Sequence, residues 1–136
     1  MALSANRDLD HYIDQELRSL QVAAAVHIYK GALVGLSAGG YARPLIAGDL
    51  FVGIAYEEMD NSGGSDGDRS VRVYTLGDFG HSLSGAGVSN IGNAVYASAD
   101  DALTFTSTSN SYVGTAIDVP TNGEIILRLE AFRTAP

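Results

Sequence analysis

The stretch FVGIA at residues 51–55 returns as YVGTA at residues 112–116, which constrains the chain to a fold built from two like units. The copies lie 61 positions apart (112 − 51), and the offset holds upstream without a gap. Gly31 falls on Gly92, Val34 on Val95, and Ser37-Ala38 on Ser98-Ala99. Seven of the 25 positions from Gly31 to Ala55 are identical to their partners, and Phe51/Tyr112 is a conservative exchange. Further on the match resumes at an offset of 56, where Gly67-Asp68 meets Gly123-Glu124 and Val71-Arg72-Val73 meets Leu127-Arg128-Leu129. The five residues dropped between the two offsets (61 − 56) fall in a loop, where changes of length cost little. Collinear matches through four segments indicate an internal duplication, with pseudo-repeats over about 27–80 and 88–133.

From Val22 onward the apolar period is two, and short runs rich in Val, Ile, Tyr, Phe and Thr are broken by Gly, Asn, Asp and Ser. This pattern predicts strands over 22–29, 32–37, 50–56, 70–76, 79–84, 94–98, 102–107, 112–118 and 124–132. Many short strands with frequent turns predict an all-β fold, a small barrel or sandwich in which two half-units close on each other. Glycine inside a strand costs about 0.5–1 kcal/mol relative to alanine, so its reuse at Gly53 and Gly114 marks a bulge or a close backbone crossing.

Ahead of the strands, Leu9, Tyr12, Ile13, Leu17 and Leu20 recur at spacings of three and four, predicting one helical stretch over 8–20. Ser4 or Asn6 is placed to cap it, and Asp8 and Asp10 suit the positive end of its dipole. A helix this short is marginal alone in water and must pack on something. Two uses remain open: a lid over the barrel, or an arm reaching another subunit. The expected organisation is therefore an N-terminal helical arm over 1–21 and a single β domain over 22–136, with those five apolar residues as the candidate interface.

Composition narrows the function. Lys30 is the only lysine and the net charge is −8, which disfavours nucleic-acid backbones and anionic membranes as partners. Without cysteine there are no disulfides and no thiolate chemistry. No secretory signal is expected, since the N-terminus carries acids in place of a basic region and an apolar run, and synthesis in the cytoplasm follows. GHSLSG at 80–85 approaches a nucleophile elbow but has Ser84 where glycine is required and no helix pattern after it. The three histidines lack metal-binding spacing, and Lys30 lacks a phosphate loop, so neither metal nor other cofactor is expected. The acidic MDNSGGSDGD run at 59–68 has no distal glutamate to close a calcium loop, which leaves a flexible hairpin tip as its expected form. Arg72 and Arg128 are expected at equivalent strand positions.

Four stretches, NRDLDHYIDQELRSLQVAAAVHIYKGALVGL, AGDLFVGIAYEE, VRVYTLGDF and the closing VP…IILRLEAF, together resemble tailed-bacteriophage capsid decoration (cement) proteins, a group once mislabelled as RecA/RadA-like recombinases. The resemblance covers nearly the whole chain. It implies a structural, non-enzymatic virion protein that binds the outer capsid surface, often as a homotrimer, with the major capsid protein and its own copies as partners. The rival reading is a non-viral secreted or surface β-barrel binding carbohydrate or protein, for which seven tyrosines are available and tryptophan is not. A hydrolase using Ser82 is the third.

Overall fold

The computed structural model describes residues 4–5 and 17–136. Its strands fall into two series. In the first copy they are β1 (Leu17–Gln21), β2 (His27–Ile28), β3 (Leu33–Leu36), β4 (Ala42–Pro44), β5 (Leu50–Ala55), β6 (Met59–Asp60) and β7 (Ser70–Tyr74). The second copy has β8 (Asp78–Ser82), β9 (Ala94–Ala99), β10 (Ala102–Thr104), β11 (Ser111–Thr121) and β12 (Glu124–Leu129), with a 3₁₀ turn at Val88–Asn90. The fold is all-β, as the period-two pattern predicts.

Each copy makes one five-stranded antiparallel sheet, ordered β1-β7-β5-β3-β4 in the first and β8-β12-β11-β9-β10 in the second. The two orders are the same series of equivalent strands. The registers repeat as well: Leu33 faces Ile54 as Ala94 faces Thr115, and Val34 faces Gly53 as Val95 faces Gly114. Ala55 faces Val73 as Ala116 faces Leu127, and Leu20 faces Val71 as His81 faces Ile125. Even the turn bonds recur, with Gly31 N donating to Ala55 O at 3.0 Å and Gly92 N donating to Ala116 O at 2.7 Å.

These pairings correct one alignment. The last strand of each copy is related by an offset of 54 (127 − 73), not 56, so the second copy is shorter by seven residues (61 − 54) rather than five. Arg72 is therefore equivalent to Ile126, and Arg128 to Tyr74. The two arginines do not correspond.

Gly53 and Gly114 both sit where the register shifts, at φ of 145° and 151°. A Cβ at either would run into a backbone carbonyl oxygen of the adjoining strand, that of Tyr74 or of Arg128. The bulge and the close approach expected from sequence thus occur together, and only glycine satisfies both.

Alternation sorts the first sheet into two cores. Val34, Val52, Val71 and Val73 pack with Val22, Ile28 and Ala42 inside the first copy. Their strand neighbours Leu33, Phe51 and Ile54 point the other way and pack with Val95, Val113, Ile125 and Leu127 of the second copy. Phe51 is fully buried, a gain of roughly 2–3 kcal/mol over exposure. The first sheet closes on itself through a parallel bridge between Val22 and Ala42, while β2 and β6 pair as a separate ribbon carrying Ile28 into that core.

The helix expected over 8–20 is corrected at its end. Leu17 and Leu20 lie in strand β1, paired with Tyr74 and Val71, and residues 8–16 lie outside the described residues. Spacings of three fit a helix, but the hydrogen bonds offered by β7 win for residues 17–21. The strand expected over 22–29 is broken by a turn at Ala24-Ala25, Ala25 standing at φ 60°, and only His27–Ile28 of it is a strand. Strands β4 and β6 have no counterpart among the predicted ones, the first ending in proline and the second only two residues long.

Candidate functional site

Of the five residues predicted to form an interface, Leu9, Tyr12 and Ile13 lie outside the described residues. Leu17 and Leu20 are half-buried in β1, and Leu20 packs against the first core. The structure binds these two to the barrel, so they are not on a free helical arm.

The acidic run 59–68 is folded around one side chain. Asn61 is 1% exposed, and its Nδ2 donates to Ala23 O at 2.8 Å and Ser65 O at 3.1 Å, with a longer approach of 3.4 Å to Val22 O. Its backbone N donates to Val26 O at 2.9 Å, and its carbonyl accepts from Ala25 and Gly64. Gly64 has no side chain because Asn61 Oδ1 occupies that place. The carboxylates of the run turn inward to main-chain N–H groups: Asp60 to Ser62, Asp66 to Ala24 and Asp68 to Ser65. The expected flexible tip is instead a hydrogen-bonded cap seated on the first copy. Among the described residues no group of three or more His, Asp or Glu is placed to hold a metal ion.

Charge is spent mainly in local pairs. Arg43 grips Asp49 with both ends of its fork, at 3.0 and 2.7 Å, over Gly35, whose missing Cβ leaves room for the carboxylate. Arg72 holds Glu57 at 2.9 and 3.1 Å and lies 4.8 Å over the Tyr56 ring. The Arg72 guanidinium, helped by the Arg72 backbone N–H, keeps the Glu57 carboxyl below the usual range. Arg128 reaches Asp78 across the β8–β12 pair with both bonds at 2.9 Å and lowers that carboxyl likewise. His27 Nε2 lies 2.6 Å from Glu58 Oε2, which ties β2 to the segment entering β6. Tyr112 donates its hydroxyl to Glu130 at 3.0 Å, and Glu130 also meets Arg133 at 2.6 Å.

The GHSLSG stretch lies at the end of β8 and the turn after it. His81 Nδ1–H donates to the Ser82 carbonyl oxygen at 2.8 Å, so the ring engages the backbone rather than the serine hydroxyl. His81 instead lines a cleft of about 300 Å3 at the seam of the two copies, with Tyr29, Lys30, Gly31, Asp100 and Asp101. Leu33 N donates to Asp100 O at 2.8 Å and fixes the two walls together. Burial, with the neighbouring Asp101 charge, pushes the Asp100 carboxyl above the usual range. Sequence reasoning missed this cluster. The available signal was Asp100-Asp101 standing where the first copy has Gly39-Gly40.

The 3₁₀ turn between β8 and β9 exposes Val88 (70%), and Ile91 (45%) is exposed just after it, at positions equivalent to His27 and Lys30 of the first copy. No family model matches the chain, and neither the curated proteins nor the solved structures give a match.

Proposed function

We propose that the protein is a structural component of a phage particle, a decoration protein that seats on the outer capsid surface and braces it. The observation that carries this reading is the likeness of the four quoted stretches to capsid cement proteins, which spans both copies and the segment before them. The surface is compatible with such a role: most described carboxylates are held in ion pairs and turns, which suits a rigid clamp. Its partners are the major capsid protein and further copies of itself, in a homotrimer.

A clamp of this kind works by linkage. Several modest contacts from one oligomer reach adjoining capsid subunits, and release requires all of them to fail together. The segment carrying Leu9, Tyr12 and Ile13 precedes β1, the outermost strand of its sheet order, and supplies one such contact.

The test is cosedimentation with expanded, undecorated heads of the phage that encodes the protein. Full-length chain is expected to saturate the heads. A chain lacking residues 1–16 should keep its melting temperature and lose occupancy, as should the Leu9→Asp, Ile13→Asp double variant. Truncation must stop at 16, because residues 17–21 are strand β1. Full occupancy by the truncated chain removes the arm from the mechanism; indifference of the full-length chain to heads sinks the reading itself.

A further inference from the structure

Three charged residues line the seam cleft without pairing with one another. Lys30, Asp100 and Asp101 line it, yet none of them makes an ion pair within 4.0 Å among the described residues. Elsewhere the described carboxylates, Glu124 excepted, each bind a partner, as Asp49, Glu57, Asp78, Asp118 and Glu130 illustrate. Asp100 is engaged by its own backbone N–H, whereas Lys30 and Asp101 are left without an ion pair among the described residues, so the hollow is arranged for something that bridges them.

The aromatic wall is fixed in place. Tyr29 is 59% exposed, and one side of its ring stacks on His27 at 4.1 Å and 19°. His27 is itself held by Glu58 at 2.6 Å. Tyr29 therefore offers a ring whose orientation is set from behind. His81 spends Nδ1–H on Ser82 O, which makes Nε2 of the neutral ring an acceptor.

This chemistry is confined to the seam. The positions equivalent to Tyr29, Lys30, His81, Asp100 and Asp101 in the other copy are Asn90, Ile91, Leu20, Gly39 and Gly40. None of those repeats the charge or ring of its counterpart, so the cleft is not a by-product of the duplicated scaffold.

From this arrangement we infer that the cleft binds a neutral saccharide. A divalent cation is disfavoured, since the Asp and His side chains are not grouped as ligands. An anion would meet two carboxylates on a chain of net charge −8. A sugar ring meets each requirement: its hydroxyls donate to Asp100, Asp101 and His81 Nε2, and accept from Lys30 Nζ. Its apolar face lies on the Tyr29 ring. The raised Asp100 carboxyl is consistent, because a partly desolvated group gains from hydroxyl donors that replace lost water. The inference does not depend on the capsid reading, and a head-binding failure leaves it intact.

Saturation-transfer NMR on the full chain tests it, with methyl α-mannoside, methyl β-galactoside, N-acetylglucosamine, maltotriose and chitotriose as probes. At least one probe should receive magnetisation, and Tyr29→Ala and Asp101→Asn should each weaken it about tenfold. Glu124→Gln, the other uncommitted carboxylate, should change nothing. Should Tyr29→Ala disturb the His27 ribbon, Asp101→Asn at an exposed position decides between binding and its absence. No transfer to any probe, or transfer unaltered in both variants, overturns the proposal.

Discussion

Leu33, Phe51 and Ile54 of the first copy occupy the same register positions as Ala94, Tyr112 and Thr115 of the second. The first trio is sealed into the core shared by the two sheets, whereas Ala94 and Thr115 are half-exposed and Tyr112 turns its hydroxyl to Glu130. One strand plan thus serves two burial states. Between β5 and β7 the first copy spends a long acidic segment on a cap around Asn61; the second crosses from β11 to β12 through the tight Asn122-Gly123 turn. Where the backbone must cross closely, the copies agree; where they meet different neighbours, they diverge.

The largest effect is expected where the copies agree. Gly53→Ala and Gly114→Ala each force a Cβ against a carbonyl oxygen at a positive φ, and each should cost about 3 kcal/mol in denaturant unfolding. A tolerated substitution at one site alone would break the equivalence of the two bulges.

Next comes a residue unique to the first copy. Asn61→Ala removes the donors to Ala23 O and Ser65 O and should cost about 2 kcal/mol. Hydrogen exchange should quicken in β2 and β6 while β9, β11 and β12 keep their protection. Equal loosening of both sheets would show that the cap supports the whole molecule rather than one half.

The smallest effect is electrostatic. Glu57 and Asp78 titrate below their unfolded values, so the stability they lend is present at neutral pH. It is lost as pH falls below the ordinary carboxylate range and through their depressed native values. Wild type should lose melting temperature across that acidic window, and Glu57→Gln with Asp78→Asn should flatten part of the loss. Solvent screening keeps the change modest. An acid profile identical in the double variant would place the titrating groups elsewhere.

The duplication was legible because glycines mark it, and the all-β class because apolar residues alternate. The exact register of the last strand was not. A slip of two residues returns every side chain to the same face, so Val71 fits Leu127 and Ile125 equally well as an inward residue. Matching Arg72 to Arg128 then favoured the wrong offset. Leu17 and Leu20 extended a helical spacing that began at Leu9, and nothing local announces that β7 will claim them as a strand. Asn61 was hidden in a run of Ser, Gly and Asp that reads as a turn, since its worth lies in carbonyls some forty residues away (Val22 at 39, Ala23 at 38). The cleft draws on three separate segments that only the seam brings together.

The paired bulges have a consequence for how such a chain can change. At Gly53 and Gly114 every alternative side chain is barred by the backbone of the next strand, while surrounding positions are free to drift with their surroundings. Those two letters therefore act as a fossil register mark, preserving the trace of a doubling that the neighbouring residues have largely erased.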